Sequence, residues 1–232
     1  MSEKQITTVT IFKFSGFINK FFALVSMAYF IRAIASTRGL TFAKLMGSGS
    51  KDGFSVLPDL SQYVLLCVWV CEADAAVFFS KSPEYQRYIR HCSTKQSIYL
   101  RTTMVHGLWS KVVPFKVSEN YNAALPVAVL TRATIKWKDM IRFWKDVPAV
   151  SNSLKDGKRP LFAAGIGELP FRYQATFSIW KNGDDMRAFA YHNKHHKDMV
   201  AKTKSTGWYS EELFARFSPY KTEGDPILSA NF

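Results

Sequence analysis

A chain of 232 residues with 47 % hydrophobic and 15 % aromatic residues can bury a sizeable core, which excludes a disordered class. A formal net charge of +13 suits an anionic counterpart, but no basic run exceeds two residues and no nucleic-acid signature occurs, so nucleic acid is not an expected partner. Cys67, Cys71 and Cys92 read as reduced core thiols of a cytoplasmic protein, and the polar start MSEKQITTV reads as no secretory signal.

In chain order, ITTVTIFKF alternates as a strand, and an apolar helix is expected over about Phe17 to Ser36, stopped by Gly39. Its segment Phe21 to Ile31 is bounded by Lys20 and Arg32 and is about 16 Å long as a helix, too short to span a bilayer. Then come the strands LTFAKLM, running into GSG, and YVLLCVWV, a helix of about Glu72 to His91, and the strand SIYLRTTM. The second half repeats the order. PVAVLTRATI is a strand, KDMIRFWKDV a helix stopped near Pro148, RPLFAAGIGE and YQATFSIW are strands, and a helix follows over about Asp184 to Thr203. WYSEELFARFSPY closes the chain as a helical turn or a strand.

Each half therefore reads β-α-β-β-α-β, the ferredoxin-like order, and the expected class is α+β. The first repeat is placed at 1–108, a linker at 109–125 and the second repeat at 126–232. Two such sheets in one chain can close on each other as a dimeric α/β barrel does; the alternative is two independent domains. The copies correspond in detail: GSG matches GIG, and Tyr63 to Trp69 matches Tyr173 to Trp180 with a one-residue offset.

AYHNKHHKDMV, residues 190 to 200, holds three of the five histidines. His192 pairs with His196 at i,i+4 and with His195 at i,i+3, so one helix face could carry two metal ligands; for any one of them alone, a solvated helix-start residue is the favoured reading. No zinc-protease pattern surrounds them. His91 and His106 read as ordinary. Arg101 and Arg132 interrupt apolar strands, where a guanidinium fork either enters a cavity, to hold a propionate or polarise bound oxygen, or sits at a sheet edge in water. GSGSKDG and GIGE lack the endings of phosphate loops, and nothing supports a hydrolase.

GLTFAKLMGSGSKDGF (39–54), LTRATIKWKDMIRFWKDVP (130–148), GIGELPFRYQATFSIW (165–180) and FAYHNKHH with GWYSEELFARF (189–217) together resemble the spheroidene monooxygenase family of carotenoid-modifying enzymes, over about residues 8 to 220. The resemblance implies a haem b (iron) monooxygenase that hydroxylates or ketolates C-2 of an acyclic carotenoid end group with O2 and electrons from reduced ferredoxin. In the family pattern FAY is followed by four residues and a histidine, which makes His196 the implied iron ligand, with His195 one residue away. Arg101 and Arg132 become candidates for distal or propionate contacts, and Trp69, Trp144, Phe177 and Trp180 for a polyene tunnel, though such aromatics also suit an ordinary core. The charge suits an acidic ferredoxin or the inner face of an anionic cytoplasmic membrane, and a homo-oligomer is compatible. Two other readings stand beside this one: a non-catalytic haem or lipophile carrier, and a cofactor-free α/β-barrel monooxygenase of a small aromatic substrate.

Overall fold

The computed structural model describes residues 4–50, 58–140, 160–169, 172–192 and 207–227. Alternating apolar residues make eight strands: β1 (Ile6–Lys13), β2 (Leu40–Gly49), β3 (Pro58–Trp69), β4 (Thr94–Gly107), β5 (Val127–Ile135), β6 (Phe162–Leu169), β7 (Tyr173–Trp180) and β8 (Tyr209–Gly224). Helices α1 (Phe17–Ser26) and α2 (Phe30–Ile34) follow β1, α3 (Glu72–Lys81) and α4 (Pro83–Ile89) follow β3, and α5 (Gly183–His192) follows β7.

The strands close into one antiparallel barrel in the order β1-β3-β2-β6-β7-β5-β8-β4. Each half supplies four adjacent strands, β4-β1-β3-β2 and β8-β5-β7-β6, so the halves share a barrel and are not independent domains. The β4–β8 seam is long, running from Gln96 opposite Gly224 to Gly107 opposite Leu213. The β2–β6 seam is two pairs, Gly47 with Gly167 and Ser48 with Ile166.

One set of alternate residues fills the barrel, among them Val9, Ile11, Leu66, Leu130, Phe177 and Phe217. The opposite face of the first half packs Phe12, Tyr63, Leu65 and Trp69 against α1–α4. A closed barrel leaves only its outside for helices, so the two faces of each strand serve two separate cores.

Two expected helices are broken. The first ends at Ser26, whose hydroxyl donates to the Phe22 carbonyl and draws the next residues into i→i−3 bonds. The second divides at Ser82, which caps the Tyr85 N–H at 3.2 Å while Pro83 opens α4. The closing segment is a 16-residue strand rather than a helical turn. Of the helix expected from Lys138, a 3-10 turn at Trp137–Asp139 is described and the rest lies outside the described residues.

Candidate functional site

The outer faces of the two halves differ where their pairing is equivalent. In the first half, cross-strand rows read Leu45–Leu65–Thr10 and Gly47–Tyr63–Phe12, a floor of large side chains under the helices. In the second half, the rows read Gly165–Thr176–Thr131 and Gly167–Gln174–Ala133. Glycine and threonine thus stand where two leucines stand, and glutamine and alanine where tyrosine and phenylalanine stand. Thr176, Gln174 and Gly167 are half-buried and Thr131 is exposed, although they occupy the middle of a sheet. Among the described residues this part of the outer face, which we call the trough, has a floor of short side chains.

One end of the trough is walled by Val127, Val129 and Trp180, packed with Tyr121, Met186, Phe189 and Phe214. The rings of Trp180 and Phe189 lie 5.1 Å apart, which fixes α5 over this face. Asp184 and Asp185 stand in the first turn of α5, where carboxylates favour the helix dipole. Gly183 starts that helix because a Cβ there would come within 1.8 Å of the Tyr121 hydroxyl. Arg216 closes the outer row of Val129; its guanidinium lies 3.5 Å from the Tyr121 ring centroid and its Nε donates to Thr103 Oγ1 at 3.3 Å. The trough therefore has an apolar wall, a floor with hydroxyl and amide groups, and a cation at one edge.

A second polar cluster closes one end of the barrel on the other side of the sheet. Trp109 is buried and donates through Nε1 to Glu168 at 2.8 Å, and Lys44 bonds the other oxygen of that carboxylate at 2.5 Å. Arg132 pairs with Glu211 and lies against the rings of Trp109 and Tyr173. Glu211 also accepts the backbone N–H groups of Ser110, at 3.0 Å, and Lys111, at 2.7 Å. Burial acts to raise the Glu211 carboxyl, but those two N–H groups and the Arg132 guanidinium outweigh it and hold the carboxyl below its usual range.

The residues singled out in the sequence fall into separate compartments. Arg132 faces the barrel interior, opposite the trough. Arg101 lies outside β4, over the Tyr220 ring at 4.6 Å and 3.9 Å from Glu119. Trp69 belongs to the first half's helical core and donates to Thr8 Oγ1; Phe177 lies inside the barrel; Trp180 walls the trough. Trp144, His195 and His196 lie outside the described residues, as does the side chain of His192. Of the sequence-named aromatics that are described, Trp69, Phe177 and Trp180, the last meets the trough, and sequence reading missed Thr131, Gln174, Thr176 and Arg216. For Gln174 and Thr176 the signal was the contrast with Tyr63 and Leu65 of the first repeat; Thr131 stands where the first repeat also has a threonine, Thr10. Among the described residues no group of three His, Cys, Asp or Glu could hold a metal.

No family model matches the chain. It is 33 % identical over 232 residues to the spheroidene monooxygenase of Cereibacter sphaeroides, covering 97 % of this chain and 72 % of that one. It is 32 % identical to the spheroidene monooxygenase of Rhodobacter capsulatus, covering 97 % and 96 %. The fold matches a solved aldoxime dehydratase with a TM-score of 0.62 at 10 % identity, over 94 % of this chain and 82 % of that one.

Proposed function

The chain belongs to the spheroidene monooxygenase family, and on that premise we propose that it hydroxylates or ketolates the C-2 end-group position of an acyclic carotenoid, using dioxygen and electrons from reduced ferredoxin. It is an oxidoreductase, and the observation that carries the reading is the 32–33 % identity spread over 97 % of the chain. The barrel is read here as two fused ferredoxin-like units, which its repeated strand order supports.

Haem b is the proposed cofactor and the trough its proposed seat. Gly165 and Thr176 leave room for a flat plate where Leu45 and Leu65 stand in the first half, and Gln174 and Ala133 replace Tyr63 and Phe12 beside them. His196, beyond α5 in sequence, is the proposed iron ligand, with His195 the neighbouring alternative. Bound there, haem would supply the reductive activation of dioxygen that no side chain provides. Arg216 offers a cation to an anionic edge of the plate. Trp180 and Phe189 exclude water from one end and present aromatic faces to a polyene. The Thr131 and Thr176 hydroxyls and the Gln174 amide can orient a ligand from below. The net charge of +13 favours encounter with an acidic ferredoxin.

The test is a visible spectrum after haem reconstitution, followed by turnover. The wild type should show a Soret band, retained in His192→Ala and lost or shifted in His196→Ala. With reduced ferredoxin and dioxygen, the loaded protein should oxygenate an acyclic carotenoid, and leaving out either should stop product formation. A wild type that takes up no haem yet turns over would overturn the cofactor and keep the enzyme.

A further inference from the structure

We propose that α1 is an interfacial membrane anchor, which inserts its apolar face into an anionic bilayer surface. At about 100° per residue, Leu24, Phe17, Phe21, Val25 and Ile18 occupy a continuous arc of about 120° on that helix. All five are exposed, Phe17 by 83 % and Phe21 by 58 %, and the two rings stack on each other 6.4 Å apart. The buried side of the helix carries Ala23 and Ser26 instead. Five of the six large apolar residues of α1 thus face outward, and only Phe22 packs inward, against Tyr88 and His91, the reverse of a helix whose only role is to cover a core.

Charge decides the occupant. From Lys4 to Ser50 the chain holds six basic residues and no acidic one; Lys44 pairs with Glu168 and Arg38 with Asp74, which leaves Lys4, Lys13, Lys20 and Arg32 to meet headgroups. Neither α1 nor α2 carries a carboxylate to repel an anionic headgroup layer. Exposed aromatic and aliphatic side chains beside lysine and arginine, on a helix too short to cross, are the composition of a segment that lies in the interface. No helix among the described residues is long and apolar enough to cross a membrane.

The helix also stands at the edge of the trough. Met27, directly after α1, lies over Gly47, where an added Cβ would come within 3.8 Å of its sulfur. Gly47 pairs across the seam with Gly167, which belongs to the trough floor. Docking needs only the helix and its charge; delivery of an apolar substrate from lipid past the Gly47–Gly167 pair rests on the carotenoid reading.

The experiment is cosedimentation of the full chain with vesicles of phosphatidylcholine, with and without phosphatidylglycerol. The wild type should pellet with the anionic vesicles and be released by high salt. Phe17→Ser with Phe21→Ser should lower partitioning by at least about tenfold, with an unchanged melting curve because both rings are exposed. Lys20→Glu should weaken binding at low salt only. A wild type left in the supernatant, or a double variant that binds like wild type, overturns the proposal. A wild-type dimer that the double variant dissociates, without vesicle binding by either, overturns it in favour of a second copy. Turnover of detergent-dispersed carotenoid reports separately on the function, since the double variant should keep wild-type turnover there.

Discussion

Ser110 and Lys111 both adopt positive φ, 55° and 66°, in the two-residue turn between the paired Trp109 and Val112. This turn favours asparagine and glycine, and each non-glycine residue there costs about 1 kcal/mol. Glu211 offsets that cost by accepting both turn N–H groups as well as the Arg132 guanidinium. Replacing Glu211 with Gln should therefore destabilise the fold by about 3 kcal/mol, since it leaves a buried guanidinium without its counter-charge. The folded carboxyl titrates below its unfolded value, so its stabilisation is present above about pH 4.3 and fades as pH falls through the lower folded value. Urea melts across pH 2.5 to 6 should show a smaller acid-dependent loss in Glu211→Gln than in wild type. Equal losses would remove Glu211 from that role.

Among the elements, the strands were the most legible, because period-two alternation is strong in segments with one face in the barrel and one under helices. The helix breaks were legible too and went unread: Ser82-Pro83-Glu84 is an N-cap followed by an N1 proline and an acidic first turn. The offset between Tyr63 and Tyr173 carried more than length. Counted back from Trp69 and Trp180, which both face outward, Tyr63 also faces outward and Tyr173 faces inward beside Arg132. The offset thus leaves Gln174 opposite Gly167 and the trough without an aromatic floor. The facing of Arg101 and Arg132 was not legible, because period two leaves the choice of face to the register of the whole sheet. Thr176→Leu, which copies Leu65 of the first half, should abolish haem uptake while leaving the melting temperature within a few degrees of wild type, as read by absorbance titration and circular dichroism. Full uptake by that variant would place the cofactor elsewhere.

At the scale of the whole molecule, one barrel interior welds two topologically similar halves, and their outer faces then diverge. The first half fills its outer face with aromatics and serves as scaffold. The second, among the described residues, floors its outer face with short side chains and carries the proposed site. Net charge shapes encounter with partners without determining the fold. The central claim, that this trough oxygenates an acyclic carotenoid, is tested most directly by pigment analysis of cells that make lycopene-type carotenoids and express either the wild type or Thr176→Leu. The account predicts a new, more polar carotenoid with oxygen at C-2 in the first culture and unchanged pigment in the second. An unchanged profile with stably folded, haem-loaded wild type across several acyclic precursors, or equal conversion by both proteins, would contradict it.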